Sequence, residues 1–199
     1  MRVCLFGGSF DPVHAGHLAI AESAYRVLGL DAVVFLPAVC SPFKKEGAAM
    51  FSPEARLRLL HLATDGLPWA RVSTRDLEQP PPSWSWRLVE GWKRDYPEDE
   101  LFWLMGTDQW QQLHRWSRYD ELVRQLTFIV YHRGSAPEPR PGVRAHFLAG
   151  HHPASSTTIR DCLRRGKALP EGWLPQAVEE EARREASAFP FPIDKEGLS

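Results

Sequence analysis

The sequence lacks the features of several protein classes. It has no apolar run of roughly eighteen residues, so no segment is predicted to cross a membrane. Cysteine is scarce, with three among 199 residues, and the odd number and wide spacing predict reduced thiols. Neither charge sign is in excess, with 24 Lys and Arg against 25 Asp and Glu, which disfavours nucleic-acid and membrane partners. No secretory signal precedes the first apolar run, so we expect a cytoplasmic protein.

Common ligand-binding motifs are missing as well. The glycine pair Gly7-Gly8 is not followed by the Gly-Lys-Ser/Thr of a P-loop, and the three-glycine dinucleotide fingerprint is absent. No Cys-x-x-Cys or His-Glu-x-x-His pattern supplies a set of metal ligands. The sequence therefore predicts no metal held by protein side chains alone.

Short apolar runs alternate with helix-like stretches along most of the chain. The runs cover residues 3–6, 33–36, 101–105 and 128–131, and continuous apolar runs of this length are typical of strands buried on both faces. Further strands are predicted near Val72 and over residues 143–148. Helices are predicted after residue 14, after Ser52, over 83–95 and over 120–125. The alternation favours an α/β fold, a doubly wound Rossmann-like parallel sheet with a small C-terminal helical extension.

The segment with the strongest chemical signal is residues 7–17, which read GGSFDPVHAGH. A glycine turn follows a buried strand and leads into a helix, whose N-terminus suits a phosphate group. His14 and His17 are three residues apart and share one helix face. The segment therefore predicts a phosphate site with imidazole donors, with a structural turn and a zinc site as the alternatives.

Two motifs together indicate a family. The pattern Gly-x-Phe-Asp-Pro-x-His-x-Gly-His resembles the signature of the nucleotidylyltransferase superfamily. Residues 155–160, SSTTIR, resemble the second motif of that superfamily, with Ala154 where isoleucine is usual. The resemblance implies one nucleotidylyltransferase domain over residues 1–185 and a C-terminal tail over 186–199.

The resemblance also implies a reaction. Enzymes of this kind transfer a nucleoside monophosphate to a phosphate acceptor and release pyrophosphate, and they need positioning and charge stabilisation more than a nucleophilic side chain. His14, His17, Lys44 and Arg160 are then the catalytic residues. A Lys-Lys pair such as Lys44-Lys45 is otherwise typical of a solvated loop. Mg²⁺ is expected as the cofactor, carried mainly by the ATP phosphates.

Other segments bear on the acceptor. Residues 104–108, LMGTD, and 82–85, PSWS, resemble the Gly-Ala-Asp and Pro-Ser-Tyr-Thr segments of bacterial nicotinate-nucleotide adenylyltransferases. Trp116 and Arg133 match further positions of that branch, whereas Phe43 stands in place of a histidine. From the residues alone, Asp108 is equally an N-cap, and Trp116 is equally a core aromatic residue.

These matches imply that the chain adenylates nicotinate mononucleotide with ATP. Alternatives are nicotinamide mononucleotide or pantetheine phosphate as acceptor, or a non-catalytic nucleotide-binding module, and the sequence leaves a homo-oligomer open. The residues expected to bind ATP are Gly7, Gly8, Ser9, Phe10, His14, His17, Gly106, Asp108, Ser155, Ser156, Ile159 and Arg160. Those expected to bind nicotinate mononucleotide are Ser9, Lys44, Trp84, Ser85, Trp116 and Arg133.

Overall fold

The fold is built on one six-stranded sheet. The computed structural model describes residues 1–40 and 49–188. The strands are β1 (Arg2–Gly8), β2 (Ala32–Pro37), β3 (Ala70–Val72), β4 (Glu100–Gly106), β5 (Leu126–His132) and β6 (Ala145–Ala149). Their order across the sheet is β3-β2-β1-β4-β5-β6, and each neighbouring pair is parallel.

Helices connect the strands and cover both faces of the sheet. They are α1 (Ala15–Leu28), α2 (Pro53–Thr64), α3 (Ser85–Asp95), α4 (Thr107–Gln112), α5 (Tyr119–Gln125), α6 (Ser156–Arg164) and α7 (Gln176–Ala188), with a 3-10 turn over Leu113–Arg115. The predicted doubly wound α/β fold and C-terminal helix are confirmed. The last helix continues to Ala188, so the first residues assigned to the tail are helical.

The sheet divides the apolar interior into two cores. Alternate strand residues point to opposite faces. On one face Cys4, Val33 and Phe102 pack with α1, α2, α6 and α7. On the other face residues such as Leu5 and Trp103 pack with α3, α4 and α5. Strands buried on both sides explain why these segments are continuous apolar runs.

The chain order identifies the place where a ligand would bind. From β1 the chain first winds outward through β2 and β3, and then returns to the other side of β1 to form β4, β5 and β6. The winding direction therefore reverses between β1 and β4. In open parallel sheets, ligands bind at the carboxyl ends of the strands beside such a switch point.

Local sequence signals explain where two helices begin and end. The Ser52 hydroxyl accepts the Ala55 N–H at 3.1 Å at the start of α2, and Pro53 occupies the first helical position, as predicted. Gly29 ends α1 with a φ of 57°, a left-handed conformation that glycine adopts without strain. Within the described part of the chain, no helix has the length and apolar character needed to cross a membrane.

Candidate functional site

The loop after β1 brings the two motif histidines together. His14 is the N-cap of α1, and its backbone N–H donates to His17 Nδ1 at 3.2 Å. The two rings lie with their centroids 3.8 Å apart. Because Nδ1 of His17 accepts this bond, a neutral His17 carries its proton on Nε2. The predicted pairing of the imidazoles at a helix start is therefore present.

His14 is buried, at 6% exposure. Burial is the largest cause that lowers its pKa, the nearby His152 and Arg133 contribute in the same direction, and together they bring the pKa to about 4. Among the residues that the structure describes, none forms a hydrogen bond with its buried Nδ1 atom. A buried N–H at Nδ1 without an acceptor would cost more free energy than a buried lone pair at the same atom. A neutral His14 ring therefore carries its proton on Nε2.

The start of α6 docks on the same loop from the far end of the chain. The Ser156 hydroxyl donates to the Pro12 carbonyl at 3.0 Å. The Arg160 guanidinium donates to the Asp11 backbone carbonyl at 2.6 Å and lies 3.5 Å from the Asp11 carboxylate. The positive ends of α1 and α6 therefore lie side by side. We call His14, His17, Ser156 and Arg160 the helix-end cluster.

A buried arginine that the sequence analysis did not single out joins the loop after β1 to both ends of the connection between β2 and α2. Arg56 is 2% exposed, and its guanidinium donates to the carbonyls of Ser9 at 2.6 Å, Ala38 at 2.7 Å and Phe51 at 3.3 Å. The Asp11 carboxylate accepts the backbone N–H of Phe51 at 2.9 Å. Arginine is mostly exposed in proteins, so nothing in the pattern of α2 distinguished this residue from its exposed neighbours.

A cavity of about 240 Å³ opens at the switch point, where β1 leads into the loop that carries the motif histidines. The ends of β1 and β4, the start of α3 and the turn after α4 form its walls. We call it the switch-point pocket. It is lined by Gly7, Gly8, Ser9, Leu36, Ala38, Asp76, Ser83, Trp84, Ser85, Leu88, Trp103, Asp108, Gln109, Trp116 and Ser117. Seven of the residues predicted for the site therefore share one cavity, namely Gly7, Gly8, Ser9, Trp84, Ser85, Asp108 and Trp116.

The start of α3 forms one wall of the pocket. Trp84 is the N-cap with extended backbone, and the helix begins at Ser85, so the unpaired N–H groups of a helix start face this region. A carboxylate that the sequence analysis missed, Asp76, fixes the approach to this helix. It is 3% exposed, and it accepts the Val39 N–H at 2.9 Å and the Ser83 hydroxyl.

Aromatic residues form the opposite wall. Trp116 follows the 3-10 turn and lies edge-on to Trp103, with ring centroids 5.7 Å apart. Trp103 is buried at 3% exposure, whereas Trp116 is only half-buried. Trp116 therefore belongs to the pocket surface rather than wholly to the core, which was the alternative interpretation.

The N-cap interpretation of Asp108 is wrong. Gly106 is the N-cap of α4, and Asp108 lies in the first turn of that helix with its side chain lining the pocket. A Cβ at Gly106 would lie 2.8 Å from the Asp108 Oδ1 atom. Glycine at position 106 therefore gives the Asp108 carboxylate the room it needs.

Other residues expected at the site have their side chains outside the pocket lining or engaged elsewhere. Phe10 and Ile159 were expected to bind ATP, but both are buried in the core, so their side chains cannot line the crevice. Ser155 is the N-cap of α6 without a side-chain cap, and Ser156 bonds to the neighbouring loop instead of capping. Arg133 is exposed, outside the pocket lining. Lys44 lies outside the described residues.

The described residues contain no group of three or more His, Cys, Asp or Glu that could hold a metal ion. Mg²⁺ can bind through phosphate oxygens and water with few protein ligands.

Residues 5–162 match the model of the "Cytidylyltransferase-like" family. The matched segment begins in β1 and ends in α6. It therefore includes the N-termini of α1 and α6, which carry the helix-end cluster. The chain belongs to the cytidylyltransferase-like family. It is therefore a nucleotidyltransferase, as the resemblance of its two motifs predicted.

Curated relatives agree over most of their length. A protein of Methylacidiphilum infernorum (isolate V4) named "Probable nicotinate-nucleotide adenylyltransferase" is 37% identical over 186 residues, covering 89% of this chain and 87% of the relative. A protein of Thermus thermophilus with the same name is 36% identical over 180 residues, covering 90% of this chain and 95% of the relative.

Solved structures share the fold. The nicotinic acid mononucleotide adenylyltransferase of Plasmodium falciparum, solved in complex with NaAD, superimposes with a TM-score of 0.75 at 15% identity. The match covers 93% of this chain and 96% of that chain. At this identity the likeness supports the architecture and carries no residue-level assignment.

Proposed function

We propose that this chain transfers AMP from ATP to nicotinate mononucleotide, giving nicotinate adenine dinucleotide and pyrophosphate in NAD biosynthesis. The observation that carries the proposal is that the loop after β1 contributes to two places of different chemistry, the helix-end cluster and the switch-point pocket. The helix-end cluster offers imidazoles, an arginine and two helix N-termini. The switch-point pocket, a few residues away along the same loop, offers an indole face and a third helix start.

The reaction needs three phosphates held in line. A phosphate oxygen of the mononucleotide attacks the α-phosphorus of ATP, the new O–P bond forms, and the bond from the α-phosphorus to the bridging oxygen breaks as pyrophosphate leaves. His17 donates to the α-phosphate, and His14 donates to the α- or β-phosphate as a neutral imidazole. Arg160 holds the β- and γ-phosphates through its planar fork. No enzyme-bound intermediate is required, so positioning and charge stabilisation supply the acceleration.

Two further participants complete the phosphate end. We propose that Lys44 bridges the acceptor phosphate and ATP. Nucleotidyltransferases of this kind generally use Mg²⁺ with ATP, and phosphate oxygens and water would supply most of its ligands here. The metal would neutralise charge on the departing pyrophosphate.

The switch-point pocket supports the choice of acceptor. The Trp116 indole is half-buried and offers a face on which a pyridine ring can stack. The start of α3 at Trp84 and Ser85 favours an anion such as the nicotinate carboxylate. The Asp108 carboxylate can accept hydrogen bonds from ribose hydroxyls.

The same geometry predicts discrimination against nicotinamide. The amide would direct its NH₂ group at N–H donors, and an unpaired buried polar group costs about 1–3 kcal/mol. A preference of about tenfold to a hundredfold for nicotinate mononucleotide should follow, since each 1.4 kcal/mol is about a factor of ten.

The test is a panel of acceptors with the full chain, ATP and Mg²⁺. Pyrophosphate release and dinucleotide formation are measured with nicotinate mononucleotide, nicotinamide mononucleotide and pantetheine phosphate, each across a range of concentrations. The expected result is the highest kcat/KM with nicotinate mononucleotide. Equal use of both pyridine mononucleotides would refute the carboxylate argument. Preference for pantetheine phosphate would refute the assigned acceptor, and binding of ATP without turnover of any acceptor would refute catalysis.

A further inference from the structure

His152 has no assigned role, yet its side chain lies against the helix-end cluster. It stands in the connection between β6 and α6, three residues before Ser155, and is half-buried. A Cβ at Gly16, in the first turn of α1, would lie 3.0 Å from His14 Nδ1 and 3.4 Å from His152 Nδ1. The two imidazoles therefore cover the same point of α1 and are neighbours.

The hydrogen bonding of His152 fixes its protonation pattern. The Ala154 backbone N–H donates to His152 Nδ1 at 3.2 Å, an arrangement in which the side chain closes a turn two residues ahead. An Nδ1 atom that accepts a hydrogen bond carries no proton, so the neutral ring has its proton on Nε2. Neutral His14 and His17 also carry their protons on Nε2, because the Nδ1 atom of His14 is buried and the Nδ1 atom of His17 accepts a backbone N–H.

We propose that His152 is a third imidazole donor of the phosphate site, reaching the β- and γ-phosphates of ATP from the α6 side through its Nε2–H. This inference rests on the proposed function, since it assigns a further ligand-binding residue to that site. Three neighbouring rings with the same tautomer, between the N-termini of α1 and α6, form a surface suited to a polyphosphate. The electrostatic influence of His152 on His14 agrees with the closeness of the two rings.

The alternative is that His152 only closes its own turn. Asparagine separates the two roles, because its side-chain oxygen can accept the Ala154 N–H while the side chain is too short to reach the Nε2 position. Glutamine does the opposite, since its terminal amide reaches that position. His151 is the matched control, because it is the adjacent histidine and is exposed.

The experiment measures equilibrium binding of inorganic pyrophosphate, ATP and AMP to the full chain by calorimetry. His152→Asn should weaken pyrophosphate and ATP by about tenfold or more, as expected for a lost hydrogen bond to a charged group. AMP, which lacks the β- and γ-phosphates, should change by less than about twofold, and His152→Gln should recover part of the affinity. His151→Asn should bind all three like the wild type.

Each other outcome is informative. Wild-type pyrophosphate affinity in His152→Asn would overturn the proposal. If His152→Ala, measured beside it, then lost affinity while His152→Asn did not, the residue would have only a turn-closing role. An equal loss for AMP and pyrophosphate would also overturn it, because the effect would not be specific to the distal phosphates. Failure of the wild type to bind ATP would instead refute the proposed function itself.

Discussion

Acidification should destabilise the folded chain through His14. An unfolded histidine takes up its proton near pH 6.5, whereas burial, with smaller contributions from His152 and Arg133, lowers the pKa of His14 to about 4. Between these values the unfolded chain binds more protons than the folded one. The free energy of unfolding therefore has its full value above about pH 6.5 and falls as the pH decreases toward about 4.

The magnitude follows from the size of the shift. At pH 5, which is about 1.5 units below the pKa of an unfolded histidine, protonation of His14 stabilises the unfolded state by about 2 kcal/mol. The folded state gains almost none of this free energy, because its His14 stays mostly neutral at that pH. Urea denaturation of the wild type and His14→Asn at pH 7.5 and pH 5 isolates this contribution, because the other titrating groups cancel in the difference. Asparagine is a favoured N-cap and does not titrate, so the helix start is preserved.

The stability of the wild type relative to His14→Asn should decrease by about 2 kcal/mol between pH 7.5 and pH 5. A nuclear magnetic resonance titration of its ring protons should show that His14 takes up its proton near pH 4. A pH-independent difference between the two proteins, or titration of His14 near pH 6.5, would refute the argument from burial.

Three further predictions concern other parts of the crevice. Arg56→Met should cost about 3 kcal/mol in urea denaturation, because it leaves the buried carbonyls of Ser9, Ala38 and Phe51 without their donor. Arg58→Met, on the exposed side of the same helix, should cost about 1 kcal/mol or less, and equal effects of the two substitutions would contradict the argument from burial. Arg160→Lys should lower kcat/KM by about tenfold or more, because lysine keeps the charge and loses the fork, and a wild-type rate would remove Arg160 from the phosphate end. Trp116→Ala should lower kcat/KM for nicotinate and nicotinamide mononucleotides in similar proportion, because stacking does not distinguish the two rings. The control is Trp86→Ala, which should change neither value, since the Trp86 indole lies under Arg118 and outside the pocket lining. A loss of kcat/KM for only one acceptor would contradict stacking by Trp116.

The strands and the helix starts were predictable from sequence because the signals are local. The apolar runs of β1, β2, β4 and β5 are buried on both faces and so stand out in the chain. The short α4, TDQWQQ, shows no apolar periodicity, and its position became clear only from packing against β4 and β5. The motif histidines likewise were found because one segment contains both of them.

What the sequence concealed depends on contacts between distant segments. Arg56 and Asp76 are charged residues of ordinary appearance, and only their burial against loop carbonyls, N–H groups and hydroxyls shows their importance. Ile159 lies inside a binding motif, yet the helix turns its side chain into the core. A motif fixes residue types and spacing, but the face of the helix decides which of them can reach a ligand.

The docking of α6 on the loop after β1 has a consequence for the growing polypeptide. Arg160 and Asp11 are 149 positions apart, and Ser156 and Pro12 are 144 apart. A nascent chain that has produced β1 to β5 already contains both motif histidines and most of the pocket walls. It still lacks the second helix end, which follows the last strand, so tight capture of a nucleotide has to wait until the whole sheet has left the ribosome. Nucleotide binding thus reports the completion of the fold rather than its beginning.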